Sequence, residues 1–158
     1  MDIKKALFIK KNKYMEVDCR SKDTDLLDKI AKYLEQGFNI VQINSTDIAD
    51  SAFLKLAKNL RQLTSIYEAV LIIKNRADIT ELACADGIML DNDSVGITEC
   101  KKLLNNALLF GSNSASNTDG FDFCITDRPT KKAKIPTFYK IKKEDNITIY
   151  RINYDNSK

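Results

Sequence analysis

Short apolar runs alternate with helical patterns along the first two thirds of the chain. Runs of alkyl residues, typical of buried strands, occur at 6–9, 38–43, 69–73, 87–90 and 107–110. The stretches between them place apolar residues at helical spacing and predict helices over 24–36, 51–67, 78–83 and 97–104. This alternation, with continuously apolar strands, predicts a parallel sheet covered by helices over residues 6–110.

The pattern changes after residue 111. Three further strands are predicted at 121–125, 136–141 and 147–152, rich in Phe, Tyr, Ile and Thr, with no helical segment between them. The five residues after Ile141 are all polar, whereas a parallel crossover needs about a dozen or more. We therefore expect the last two strands to form an antiparallel hairpin at the end of a helix-poor segment.

Composition limits both the chemistry and the location of the protein. The chain has 158 residues, 44% apolar and 30% charged, which is the balance of one ordinary globular domain. It contains no histidine, so Ser-His and Cys-His nucleophiles are excluded. Its four cysteines lie too far apart for a zinc knuckle. No signal block or membrane-length apolar run is present, and we expect a cytoplasmic protein without membrane contact.

Positive charge is concentrated at the C-terminal end. The formal net charge is +3, and residues 129–158 hold eight of the Lys and Arg residues against three Asp and Glu. Exposed lysines on strands deter edge-to-edge pairing, and no RNA-binding signature or aromatic interleaving accompanies them. Nucleic acid is therefore not expected as a partner.

Several segments resemble motifs of the thiamine-phosphate synthase / TenI superfamily, over about residues 6–131. "GFNIVQINSTD" resembles its Q-x-R-x-K segment, and "LIIKNRADITELACADGIML" resembles its L-I-I-N-D-R…A-D-G-V-H-L segment. "FGSNSAS" and "GFDF…RPTKK" resemble its serine turn and its Pro-Thr-x-x-Lys segment. The resemblance implies a reduced (βα)8 TIM-barrel-like fold. It also implies the thiamin pathway, in which the synthase joins a pyrimidine pyrophosphate to a thiazole phosphate with magnesium, and TenI-like relatives act as thiazole isomerases.

The departures from the family pattern fall on its functional positions. Asn44 and Thr46 replace an arginine and a lysine that grip phosphate. Neutral or altered residues also stand at the Asn-Asp pair, the histidine, the metal-binding aspartate and the turn serine of the family; they are Lys74, Asn75, Met89, Ser94 and Asn113.

The resemblance nevertheless places polar residues at the C-terminal strand ends, where a barrel binds substrate. The candidate substrate-binding residues are Gln42, Asn44, Lys74, Asn75 and Asn113, and Lys131 is the candidate catalytic residue. Asp93 or Asp91 could supply a carboxylate for magnesium. Alternatively, Lys74 pairs with one of these aspartates and no metal binds.

The helices that should follow the fifth to seventh strands are missing from the sequence, and no glycine follows Gly120 to form a phosphate loop. Apolar outer strand faces, with Phe121, Phe123, Ile125 and Phe138, would lose their cover. We expect them either to fill the barrel mouth or to form a homodimer interface.

Two functions remain open. The chain is either a divergent thiamin-pathway protein without normal synthase activity, binding a small phosphorylated precursor, or a non-catalytic pseudoenzyme acting through protein contacts.

Overall fold

Eight strands close into one barrel in chain order. The computed structural model describes residues 13–91, 96–114, 118–129 and 134–152. The strands are β1 (Lys13–Arg20), β2 (Ile40–Asp47), β3 (Val70–Lys74), β4 (Gly87–Leu90), β5 (Leu109–Ser112), β6 (Phe123–Thr126), β7 (Thr137–Glu144) and β8 (Ile147–Ile152). The helices are α1 (Leu26–Glu35), α2 (Asp50–Ile66), α3 (Ala77–Leu82) and α4 (Ile97–Leu103). No helix among the described residues is long and apolar enough to cross a membrane.

Parallel pairing joins β1 through β7, and the predicted βα part is confirmed. Each helix from α1 to α4 connects two neighbouring parallel strands. In the described part of the chain beyond β5, no helix occurs. The predicted loss of the later helices is therefore confirmed for these residues.

The first strand lies later in the chain than the sequence pattern predicted. Residues 6–9, the predicted first strand, lie outside the described residues. The structure instead uses Lys13–Arg20, which pairs with β2 on one side and β8 on the other. Its apolar side chains alternate with polar ones, so it lacks the continuous apolar run that marked the other strands.

The antiparallel hairpin is confirmed; β8 has the predicted bounds, and β7 extends three residues beyond the predicted Ile141. β7 and β8 pair antiparallel from Phe138↔Ile152 to Glu144↔Ile147. The link shrinks to Asp145 and Asn146, and Asp145 takes a positive φ of 52°, a conformation that Asp and Asn tolerate better than most residues. β8 also pairs antiparallel with β1. The reversed last strand thus closes the barrel.

The end of β1 fastens the hairpin turn. Arg20 donates to Asp145 over 3.0 Å and to Asp23 over 2.8 Å. The Asn146 side-chain amide donates to the backbone oxygen of Asp18 and to Asp23, both over 3.1 Å. The turn therefore has ion-pair and hydrogen-bond partners on a segment more than 100 residues away.

Aromatic side chains fill the part of the barrel interior near the starts of the parallel strands. The ring centroid of Tyr14 on β1 lies 5.1 Å from that of Phe138, 5.5 Å from that of Tyr150 and 6.1 Å from that of Phe123. We call these four residues the aromatic cluster. Three of them, Tyr14, Phe123 and Phe138, are fully buried, and Tyr150 is 6% exposed. Rings at these separations attract one another beyond their burial.

The prediction that Phe123, Ile125 and Phe138 lie on uncovered outer strand faces is wrong. Phe123 and Phe138 point into the barrel, as does Ile125, and all three are buried. Phe121 is half-buried and packs against the apolar cluster that includes Leu90, Cys100 and Phe110. Of the hairpin's large apolar residues, Ile141 is the one that is strongly exposed, at 41%. In this self-filled barrel the two phenylalanines pack in the core rather than on an uncovered outer face, and they do not fill the mouth, where Ile125 lines a cavity.

Two aspartates tie neighbouring strands together at the end of the barrel where the parallel strands begin. Asp86, just before β4, accepts from the backbone N–H of Leu71 over 2.8 Å and pairs with Arg61 at 2.8 Å. Asp122, just before β6, accepts from the backbone N–H of Phe110 over 2.9 Å. Both aspartates belong to the matching motifs of the sequence, and in this structure they hold strands in register.

We expect the aromatic cluster to dominate stability. Replacing the buried ring in Phe138→Ala should cost about 3–5 kcal/mol of unfolding free energy, because a cavity opens in the barrel. Ile141→Ala, on the same strand but exposed, is the matched control and should cost about 0.5 kcal/mol or less. Urea unfolding followed by circular dichroism measures both. Equal costs for the two variants would contradict the interior role of Phe138.

The hairpin turn should make stability depend on pH. The hydrogen bond and charge of Arg20 hold the pKa of Asp145 below its ordinary value of 3.8. A lowered folded-state pKa stabilises the fold above 3.8, and this stabilisation is lost as the pH falls further. Asp145→Asn should therefore be less stable than the natural chain at pH 7, with the difference shrinking below pH 3.8.

A double-mutant cycle with Arg20→Gln isolates that interaction. The coupling between positions 20 and 145 should vanish at low pH. A coupling that stays constant over the acid range would show that the ion pair does not act as described.

Candidate functional site

Two adjoining cavities open at the end of the barrel where β1–β7 terminate, which we call the mouth. The first has a volume of about 280 Å³ and is lined by Glu16, Gln42, Lys74, Met89, Asn113, Ile125, Thr126, Asp127 and Tyr150. The second, of about 310 Å³, is lined by Asp18, Asn44, Ser45, Thr46, Lys74, Asn75, Arg76 and Asp91. Lys74 borders both. Barrels of this kind carry their active sites at this end.

A hydrogen-bonded group of side chains, the Glu16 network, forms the wall between β1, β2 and β8. The Glu16 carboxylate accepts from Asn44 over 2.7 Å, from Tyr150 over 2.8 Å and from Gln42 over 3.0 Å. Gln42 also donates to Asn44 over 2.9 Å, and its amide oxygen accepts from Tyr14. Asn44 donates further to Asp18 over 3.0 Å. Polar groups buried in a barrel interior need such partners.

Both tyrosine hydroxyls in the network stay protonated and act as donors. Burial raises the pKa of Tyr14 well above its ordinary value, and the nearby Glu16 charge raises it further. Burial, followed by the Glu16 charge, also raises the pKa of Tyr150. Neither hydroxyl is therefore prepared to act as a base. Cys19 is no nucleophile either, since burial raises the pKa of its thiol to about 12.

The structure brings together most of the predicted substrate-binding residues. Gln42, Lys74 and Asn113 line the first cavity, while Asn44, Lys74 and Asn75 line the second. Gln42 and Asn44 are buried, at 0% and 6% exposure, and their amides are occupied by the Glu16 network. Lys131, the candidate catalytic residue, lies outside the described residues.

The predicted Lys74–Asp91 ion pair is wrong for the described residues. Asp91 instead exchanges two hydrogen bonds with Asn75: its carboxylate accepts from the Asn75 amide over 2.7 Å, and its backbone N–H donates to the Asn75 oxygen over 3.1 Å. Among the residues that the structure describes, Lys74 forms no ion pair. Asp93 lies outside them.

The described residues do not fit a magnesium site. No group of three Asp, Glu, His or Cys residues within the described ranges could hold a metal. Asn75 turns its amide nitrogen, rather than its oxygen, toward the Asp91 carboxylate. Magnesium prefers oxygen ligands arranged as an octahedron. Here the Asn75 side-chain oxygen accepts from the Asp91 backbone N–H, and one Asp91 carboxylate oxygen accepts from the Asn75 amide.

Cations that could hold phosphate are scarce or already engaged at the mouth. Arg76 pairs with Asp50 and Asp78, each at 2.9 Å, and its bond to Asp78 is the main reason that the pKa of Asp78 is lowered. Lys143 approaches Asp18 at 3.7 Å. Within the described part of the mouth, Lys74 is thus the cation without a carboxylate partner.

Sequence reasoning missed Glu16, Asp18, Tyr150 and Asp127. The first two belong to β1, which the apolar-run criterion overlooked. The available signal was the alternation in "KYMEVDC", which puts Tyr14, Glu16 and Asp18 on one face of a strand and Met15, Val17 and Cys19 on the other. Tyr150 could be assigned to the interior only once the register between β8 and β1 was known.

Comparisons with known proteins agree with this architecture. Residues 14–120 match the sequence profile of the family described as TMP-TENI, thiamine monophosphate synthase. A protein of Aquifex aeolicus (strain VF5) named "Putative thiamine-phosphate synthase 2" is 29% identical over 154 residues, covering 88% of this chain and 82% of that protein. A thiamine-phosphate synthase of Clostridioides difficile (strain 630) is 26% identical over 153 residues, covering 85% and 73%.

A solved structure supports the fold. Thiamine phosphate pyrophosphorylase from Pyrococcus furiosus superposes with a TM-score of 0.66 at 21% identity, over 77% of this chain and 71% of that one. The profile match covers well over half of the 158 residues, from β1 through β5 to the segment before β6. This chain therefore belongs to the thiamine monophosphate synthase family.

Proposed function

We propose that this chain is a divergent member of the thiamin pathway that binds a small molecule at the barrel mouth and does not make thiamine phosphate at a useful rate. The observation that carries the proposal is the reversed eighth strand. Barrels of this type form a phosphate site from the loops after the seventh and eighth strands. Here the seventh strand runs through a turn of Asp145 and Asn146 into β8, whose own end points away from the mouth.

The charges at the mouth support the same proposal. Asn44 and Thr46 occupy the two positions at which cations would bind phosphate. The Asn44 amide donates instead to the Glu16 and Asp18 carboxylates. A diphosphate entering here would face Glu16, Asp18 and Asp91 rather than a row of cations. Like charges at short range oppose binding.

Non-catalytic action through protein contacts is the second candidate. It is supported by the scarcity of catalytic groups at the mouth: within the described residues Lys74 is the one cation there without a carboxylate partner, and no group of metal ligands occurs. The remaining cavities at the mouth favour the first candidate.

We also propose the cytoplasm as the location, since all four cysteines are free, as expected in a reducing compartment.

We expect no normal synthase turnover. With the pyrimidine pyrophosphate, the thiazole phosphate and magnesium, the rate should lie at least about 10²-fold below the ordinary range of roughly 1–10³ per second, because single preorganised electrostatic groups are already worth about 10²–10³. Pyrophosphate release and chromatography of thiamine phosphate measure it, with an active family enzyme as positive control. Turnover in the ordinary range would refute the proposal.

The double variant Asn44→Arg, Thr46→Lys separates the two causes. It restores both cations but leaves the reversed β8 and the hairpin turn unchanged, and we expect it to stay inactive. Activity gained in this variant would instead assign the loss to the missing cations alone.

A homodimer remains a prediction. The hairpin offers little apolar surface beyond Ile141 for an interface. The outer faces of β6, β7 and β8, however, have no covering helix among the described residues that follow β5. Sedimentation velocity at micromolar concentration should give twice the monomer mass of 17.9 kDa. A single species at the monomer mass would reject the dimer and leave the self-filled barrel as the functional unit.

A further inference from the structure

We propose that the first mouth cavity binds a small organic cation, an ammonium or amidinium group on an apolar body, with the Glu16 carboxylate as its anchor. The inference rests on the proposed function, because it names the class of small molecule that binds at the mouth. The ligand it assigns has the opposite charge to a phosphate ester. It concerns the same cavity, of about 280 Å³, and says what that cavity selects.

The first argument is the uncompensated charge of Glu16. Its three hydrogen-bond donors, Gln42, Asn44 and Tyr150, are all neutral. Among the described residues no lysine or arginine forms an ion pair with it. Neutral donors fix the carboxylate in place without cancelling its charge, and a charge inside a protein is normally paired. A cation supplied from outside would complete the pairing.

The second argument is the free acceptor capacity that faces the cavity. An ionised carboxylate offers about four lone-pair sites, and the bonds to Glu16 use two on one oxygen and one on the other. The less occupied oxygen, Oε1, bonds only to Tyr150, and both residues line the cavity. A ligand N–H group can therefore reach this oxygen while the Glu16 network stays intact.

The third argument is the cavity wall. Met89 and Ile125 supply apolar surface beside Glu16, and Asp127 adds a second carboxylate at the exposed rim. Lys74 is the one cation in the described lining, which leaves the cavity with a net charge of −1. Lys74 is half-buried and belongs to a layer nearer the mouth than Glu16, because Glu16 is level with Gln42 and Ile72. A ring carrying one positive group matches this lining better than an anion does.

The test uses benzamidine, a one-ring amidinium, with the full chain in calorimetric titrations. Benzyl alcohol and benzoate are the matched neutral and anionic probes. We expect saturable binding of benzamidine that weakens as the salt concentration rises, with weaker or no binding of the other two. Equal binding of all three probes, or no saturable binding of benzamidine at millimolar concentration, would overturn the proposal.

Variants then identify the anchor. Glu16→Gln keeps the side-chain shape and an oxygen for the Gln42 and Asn44 donors, and it should weaken benzamidine binding at least about tenfold, as expected for loss of a charged hydrogen bond. Asp28→Asn, which makes the same charge change on the exposed side of α1, should leave the affinity unchanged. Unchanged affinity in Glu16→Gln would refute the assignment.

Lys74→Met provides a second measurement that does not disturb the Glu16 network. Removing the one cation of the described lining should tighten benzamidine binding, because the repulsion disappears. A weaker affinity in this variant would contradict a cation site. Synthase turnover is measured separately, so a cavity that fails to bind the cation would refute only this inference, and turnover would refute only the proposed function.

Discussion

Antiparallel pairing between β8 and β1 is the constraint on which the rest of the structure depends. A sheet with free edges exposes unpaired backbone groups, and closing the barrel removes those edges. An eighth parallel strand would need a crossover of a dozen or more residues. The chain instead reverses through Asp145 and Asn146, so that closure is reached without a helix. Arg20 and Asp18 of β1, with Asp23 just beyond it, hold the turn in place.

This closure determines how the interior is filled. Reversal places Tyr150 opposite Tyr14 on the inner face of the barrel, and Phe123 and Phe138 complete a set of rings around Tyr14. Gly111 on β5 makes room for them, because a Cβ there would meet the Phe123 ring and the Met89 side chain at 2.4–2.7 Å. A packed floor results, and the polar Glu16 network lies above it. The described lining of the mouth holds more carboxylates than cations, and β8 ends away from the mouth, whereas in related barrels the loop after the eighth strand contributes to the phosphate site.

Membership of the family and activity are separate properties of this chain. Asp86 and Asp122, which match family motifs, bond to the backbone of neighbouring strands. Their role in this chain is to hold neighbouring strands of the barrel together. Asn44, Lys74 and Asn75 stand where the resemblance implied substrate binding, and the amides of the two asparagines are bonded to carboxylates of the protein. A fold supports many functions, and the function depends on the site.

The sequence by itself determined the parallel βα part, the missing helices and the final hairpin. These follow from local periodicity and link length, which are properties of short segments. The resemblance to the family also indicated Gln42, Asn44, Lys74, Asn75 and Asn113 as residues of one site, and these residues line the two cavities at the mouth. The first strand, Lys13–Arg20, has a local signal in its alternation of apolar and polar residues, which is weaker than the continuous apolar runs of the other strands. Only the tertiary structure decided that Phe123 and Phe138 point inward and that Glu16 is the centre of the site. Glu16 is bonded to Tyr150 through the register of β8 against β1, between residues about 130 positions apart, and no local pattern encodes such a pairing.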